Sequence, residues 1–489
     1  MIYTIMKNTA RLILAAIAVA AALVSCTKDL NPGKADTGSE AGTLRTITVS
    51  FNTPTKAYLD GLKPHFSKGD SILVKGSILS GDQRQTVYDT CIVSVKNGIA
   101  TISTELTGRL QAYYPLASTK IEPDSFTQFV PPMQTGRFDD ANICKADISS
   151  EGTMATFENL FPILRFYAGE GIGVDTIRIK SSEVLAGLED TTVITVTPPK
   201  VDENIAQGVA LVEEQEPVQD PRIWYVAVRG NVNANDLTFE SVTNTQGTVE
   251  KTPTTDLQLE KGKIYNAFIP YYIDLGDAGK WAYCNVGAFL PEEPGLYFAW
   301  GDTTGYKWIP EKNCFEEEHS FTWATYLWNG GNEAFNQDYF DTVKSDLCPE
   351  GKLALKYDAA NSNWGGKWRM PTKAERTSVG DSLSFVDGGV SFHALFFPAA
   401  GTGDEGVLNG KGSGGGFWTN TPSLNGDHMA YGLDFYSGVD KEGQVIEEIR
   451  GGETDRYMGY TIRPIFDETL SEDQPTTVTI QAYTDGQTL

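Results

Sequence analysis

The sequence predicts a mainly β chain: two β-sandwich domains followed by a loop-rich α+β domain. Three observations carry this. Between about residues 44 and 272, short runs of alternating polar and apolar residues recur, broken by Gly, Pro and Asn, with no long helical periodicity. Composition then shifts near Tyr272: eight of the nine tryptophans lie between Trp281 and Trp418, and glycine thickens, as in "GTGDEGVLNGKGSGGG". Hydrophobic and aromatic shares of 40% and 11% are enough for ordinary cores in a chain of 489 residues.

The elements follow in order. "TLRTITVSF" alternates as a half-buried strand does. "CIVSVKNGIATIS" is two short β-rich runs joined by Asn97-Gly98, a pair that accepts the positive φ of a type I′ turn, so it predicts a hairpin. "VDTIRIKSS", "TTVITVTPP", "RIWYVAVRG" and "KIYNAFIPYYI" continue the pattern. A break at "AGEGIGV" divides the stretch into sandwiches at 44–170 and 171–272, and the loop-rich domain runs from 273 to 466. The last segment, 467–489, is an acidic tail; within it "TTVTIQAYT" reads either as frayed chain or as an edge strand. In "NWGGKWRMPTKAE", Thr372 to Glu375 is a T-x-x-E capping box, so a short helix starts at Thr372 and Pro371 helps stop the chain before it. Gly365 and Gly366 form a tight turn that lets Trp364 and Trp368 face the interior, and Arg369 is placed to hydrogen-bond loop carbonyls.

The N-terminus reads as an export signal. Lys7 and Arg11 precede thirteen unbroken apolar residues, Leu12 to Val24. That is shorter than the roughly 20 residues of a bilayer span and suits a signal peptide over 1–25. The run ends in "LVSC", which resembles the lipobox of bacterial lipoproteins, and this resemblance implies lipidation of Cys26 and anchoring in the outer membrane. Residues 26–43 are polar and read as a flexible tether. The formal charge is -25, or -27 once Lys7 and Arg11 leave with the signal peptide; such a surface repels phosphate backbones and argues against a nucleic-acid partner. Cys91, Cys144, Cys284, Cys314 and Cys348 form no C-x-x-C, and with four histidines in the chain no zinc spacing occurs.

In the first half, "TKAYLDGLKPHFSKGDSILV" (Thr55 to Val74), "ATFENLFPILRF" and "LEKGKIYN" resemble segments of fimbrillin-like proteins. The resemblance implies two β-sandwiches in a surface lipoprotein with fimbrial subunits as partners. In the second half, "IDLGDAGKWAYCNVGAFLPEEPGLYFAWGDTTGY", "YDAANSNWGGKWRMPTKAE", "FFPAAG", "GFWTNTP" and "GYTIRPIF" are similar, in order, to the motifs of the Fibrobacter succinogenes major paralogous domain. That resemblance implies a C-type-lectin-like fold on a secreted or surface protein, with no general enzymatic activity.

No catalytic residue, metal site or cofactor is expected. "GKGSGGG" lacks the spacing of a phosphate loop, and neither G-x-S-x-G nor an EF-hand occurs. "RMPTKAE" resembles a segment of formylglycine-generating oxygenases, but Arg376 stands where those enzymes carry tryptophan and no cysteine follows Cys348. Indole rings can stack on the C–H faces of sugars, so Trp300, Trp323, Trp328 and Trp418, in Gly-, Asn- or Thr-containing segments, are the candidate ligand-binding residues. The triplets of calcium-dependent lectins are absent, "WNG" at Trp328 being a near miss. The expected role is adhesion or fimbria-associated binding, with glycans or a matrix protein as ligand; glycan capture for polysaccharide uptake is the alternative.

Overall fold

The computed structural model describes residues 44–51, 66–80, 82–121, 126–169, 172–187, 191–199, 219–243, 247–253, 255–439, 441, 443–471 and 476–483. The signal peptide, Cys26, the tether and Thr55 to His65 lie outside the described residues. The chain is mainly β. No helix among the described residues is long and apolar enough to cross a membrane.

The first unit is one eight-stranded sheet. Its order is Gln83–Ile92, Ser71–Ser80, Thr107–Tyr114, Cys144–Ile148, Met154–Asn159, Arg45–Phe51, Ile99–Thr104 and Ser94–Lys96. Arg45–Phe51 runs parallel to Met154–Asn159 and antiparallel to Ile99–Thr104. Its alternation is real: Ile47 and Val49 point into a core with Ile72, Val74, Ile102 and Phe157. The hairpin closes at Asn97 and Gly98, with φ of +52° and +72° and Lys96 facing Ile99. The Arg45 guanidinium donates to the carbonyls of Gly108, Ser149 and Gly152 at 3.2, 3.0 and 2.6 Å, tying the start of this strand to two turns.

The second unit is a sandwich of two sheets. One is ordered Ile223–Ala227, Ile163–Tyr167, Ile264–Phe268, Thr479–Ala482; the other Gly247–Lys251, Leu237–Thr243, Val174–Ser181, Val193–Val196, Met133–Gln134. The first unit's strands therefore stop at Asn159, and the expected break at 168–174 falls inside the second unit. "AGEGIGV" is the connection from one sheet of the sandwich to the other. Thr479–Ala482 is also an edge strand. Ala267 pairs with Ile480, and Val478 and Ile480 are buried, while Gln481 faces solvent.

All five residues of Ile163–Tyr167 and of Ile223–Ala227 are buried, which requires cover on both faces of this sheet. On the inner face Phe166 meets Phe239 at 5.4 Å. On the outer face the third unit supplies the cover: Tyr283 stacks on Tyr167 at 4.7 Å, Trp364 packs on Phe268 at 5.2 Å, and Phe289 lies 4.6 Å from the Arg165 guanidinium. The second and third units thus share one hydrophobic core.

The third unit holds a sheet of Tyr272–Asp274, Lys280–Ala282, Ile465–Phe466 and Trp368–Arg369, two three-stranded sheets, and helices Gln337–Leu347, Ala359–Trp364 and Lys373–Gly380. "NWGGKWRMPTKAE" is its knot. Gly365 and Gly366 have φ of +63° and +56°, and a Cβ on Gly366 would lie 2.3 Å from the Thr476 hydroxyl. Trp368 is 1% exposed, edge-on to Trp364 at 5.1 Å and to Phe466 at 5.3 Å. Thr372 caps Lys373–Gly380 with both halves of a capping box: its hydroxyl accepts from the Glu375 N–H and its own N–H donates to the Glu375 carboxylate. Arg369 donates to the Met370 carbonyl, but its main partners are carboxylates. Two nitrogens bind Glu375 at 2.7 and 2.8 Å, and Nε binds Asp467 at 2.7 Å, which fastens the start of the acidic tail. Pro371 is buried, and its carbonyl accepts from the Asn420 N–H at 2.8 Å.

Asp358, 2% exposed, accepts the N–H of Asn361 and, with both oxygens, that of Met370. Burial outweighs these donors and pushes its carboxyl up to about 6. The folded state therefore binds this proton more tightly than the unfolded chain. The group's contribution to stability is complete below its ordinary 3.8 and is lost as pH rises through about 6. Relative to Asp358→Asn, the wild type should lose up to about 3 kcal/mol between pH 4 and 7. Urea unfolding of both proteins across that range checks it; a wild-type stability that held or rose relative to the variant between pH 4 and 7 would contradict it.

Candidate functional site

The structure separates the four candidate tryptophans. Trp300 and Trp418 are fully buried, and their indole N–H groups are used by the carbonyls of Thr419 (2.7 Å) and Phe298 (2.8 Å). Trp418 also stacks on Tyr460 at 4.5 Å, and the Arg456 guanidinium covers Trp300. Neither can serve as a ligand platform: in a loop-rich unit, tightly crossed strands need large rings to fill the space between them. Trp323 and Trp328 are half-buried. Trp328 donates to the Gly301 carbonyl at 2.8 Å and meets Tyr357 edge-on at 4.6 Å. Trp323 meets Tyr457 at 4.9 Å and Phe335 at 5.2 Å.

The loop that carries these rings is built on Asn329. Its amide nitrogen donates to the carbonyls of Trp323, Asn332 and Ala334 at 2.8–3.0 Å, and its oxygen accepts from the Asn336 N–H at 2.7 Å. The asparagine of "WNG" is thus a buried hub with both ends of its amide occupied. Gly330, at φ +63°, lies against Tyr339, where a Cβ would sit 2.9 Å from the ring. Asn336 in turn caps Gln337–Leu347.

Opposite the loop, Gly403 and Gly459 exchange two backbone hydrogen bonds of 2.8 Å. A Cβ on either would come within 2.6 Å of the Phe321 ring, so only glycine lets these segments lie on it. That approach sets Asp404 beside Tyr457. Burial, then Asp404 and Asp455, pushes the Tyr457 hydroxyl up to about 12. Burial and the neighbouring Asp404 also raise Asp455, with His428 acting against them. The Asp404 Oδ1 is shielded from solvent, and its carboxylate faces the Tyr457 hydroxyl. Phe335 lies 5.7 Å from His428, closing the group.

The result is a surface where half-buried rings of Trp323, Tyr457 and Phe335 adjoin two carboxylates and an imidazole. Tyr306, stacked on His319 at 3.6 Å, and Trp308 extend the aromatic band over the buried Phe315 and Phe321. Such a surface can stack on a ligand's apolar face and accept hydrogen bonds from its hydroxyl or amine groups. Sequence reasoning reached Trp323 and Trp328 but missed Tyr457, Asp404, Asp455, Phe335 and His428. Their only signal was a pair of glycines 56 positions apart, at 403 and 459. The capping-box stretch, Trp364 to Glu375, lies in the scaffold and contributes no ring to this surface.

No family model matches the chain, and no curated protein matches it. Among solved structures it is similar to a protein provisionally assigned to cell adhesion from Bacteroides uniformis: 10% identity, TM-score 0.28, covering 46% of this chain and 91% of that one. A second protein with the same provisional assignment, from Bacteroides ovatus, gives 13% identity and TM-score 0.26, covering 41% and 82%. The C-terminally truncated tip fimbrial protein Mfa3 from Porphyromonas gingivalis gives 8% identity and TM-score 0.22, covering 46% and 92%.

Proposed function

We propose that the chain is a lipid-anchored, outer-membrane surface protein that binds rather than catalyses: an adhesin or fimbria-associated protein. In this reading Cys26 carries the lipid and residues 26–43 are the tether. The two fimbrillin-like units then hold a C-type-lectin-like unit, which presents the ligand surface, away from the membrane. The signal peptide and lipobox support the location. One observation supports the binding role: Trp323, Tyr457 and Phe335 leave ring surface exposed beside the Asp404 and Asp455 carboxylates. Rings and acceptors arranged in this way suit the C–H faces and hydroxyls of a glycan, so glycan capture for uptake uses the same surface.

Trp323→Ala should weaken binding to an arrayed glycan or matrix protein by about tenfold or more, the effect of removing one aromatic anchor of about 1.4 kcal/mol. Because Trp323 is half-buried, the melting temperature should change little. Equal binding by wild type and variant would remove the surface from consideration. Binding of glycans alone would favour capture over matrix adhesion.

A further inference from the structure

The hairpin of Met429–Val439 and Val445–Asp455 projects past the core that anchors it. Its strands pair without a bulge from Met429↔Asp455 to Val439↔Val445, so directly opposed residues share a face. One face carries the buried Leu433 and Phe435, then Ser437 with Glu447, and finally Val439 with Val445, which are 67% and 72% exposed. Helix Lys373–Gly380 covers the inner end of this face, where a Cβ on Gly451 would lie 1.9 Å from the Arg376 guanidinium. The outer end is open. There a groove of about 250 Å³ runs between Val386 and Asp387 on one side and Phe435, Ser437 and Glu447 on the other.

Val445–Asp455 is also the edge of its three-stranded sheet. Among the described residues no strand pairs with its outer side. It is eleven residues long and has neither the proline nor the bulge that commonly blunts an edge. Its charges are Glu447, Glu448, Glu453 and Asp455 against Arg450, which is already paired with Glu448. Asp387 adds a further negative charge across the groove.

We propose that this edge takes an extended basic segment of another protein as an added strand. Main-chain groups of Val445–Asp455 would supply the hydrogen bonds, and alternate side chains the selectivity. Lys or Arg side chains of the segment lie on the groove face, where they meet Glu447, Glu453 and Asp387; its apolar side chains lie on the opposite face, beside the exposed Ile446. Charge selects this occupant. A second copy would bring the same glutamates edge to edge, and like charges facing each other across strands are destabilising. The chain's net charge of -25 adds to that repulsion.

The test is titration of the full chain with a labelled decapeptide of alternating lysine and valine, with an alternating glutamate–valine peptide as control, followed by backbone hydrogen exchange. The lysine peptide should bind, the glutamate peptide should not, and exchange should slow across 445–455. Glu447→Lys should weaken binding about tenfold while the melting temperature holds. Absence of binding, equal binding to the variant, or binding without slowed exchange at 445–455 would overturn the proposal. So would a peptide-free dimer that protects those amides, since it would give the edge to a second copy.

Discussion

Trp368→Ala should destabilise the third unit by about 3–5 kcal/mol, the range for deleting a fully buried tryptophan side chain. The ring is 1% exposed and holds three things together: the edge of Trp364, the edge of Phe466, and the strand pair Trp368–Arg369 with Ile465–Phe466. Trp364 passes the contact on to Phe268 in the second unit. The loss should therefore appear as a lower melting transition for both units together, by roughly 10 °C. Thermal unfolding followed by near-UV circular dichroism reads it. If the variant melted like wild type and lost only ligand binding, "NWGGKWRMPTKAE" would belong to the binding site and not to the scaffold.

Ile480→Asp should be comparably severe, at about 4 kcal/mol or more, because it sets an unpaired carboxylate at a 1% exposed position. Ile480 faces Ala267 in the ladder and packs, with Val478, into the sandwich core. Expelling it removes the last strand and leaves Ile264–Phe268 unpaired on that side. Hydrogen exchange at residues 264–268 should rise sharply while the first unit, which has its own core, keeps its protection. Unchanged exchange there would show that the last strand does not hold the second unit.

These two residues also show what could be read in advance. Trp368 sits in a local signal: paired glycines, a proline and a capping box within thirteen residues. Arg45–Phe51 and the Asn97-Gly98 hairpin are local in the same way, since alternation and turn chemistry act over a few residues. Ile480 is different. The alternation of "TTVTIQAYT" permits a strand, but its partner is more than 200 residues away, so it could be read equally as frayed tail.

The misplaced break at 168–174 has a similar cause. A glycine-rich connection between two facing sheets looks the same as a linker between domains. The all-buried run of Ile163–Tyr167, covered on its outer face by the third unit, was the better clue. Among the tryptophans, type and neighbours could not separate Trp300 and Trp418 from Trp323, because exposure is decided by which strands cross over each ring. Asp404 and Tyr457 meet only through the Gly403–Gly459 contact on Phe321, a tertiary event with no local pattern.

The central claim is that the aromatic–carboxylate face of the third unit is where the protein meets its ligand. Side-by-side binding of the wild type and Trp323→Ala to arrayed glycans and immobilised matrix proteins, with melting curves for both, tests it most directly. The account predicts a ligand held by the wild type, about tenfold or more weaker binding by the variant, and melting temperatures within about 3 °C of each other. A ligand bound equally well by both proteins would contradict it.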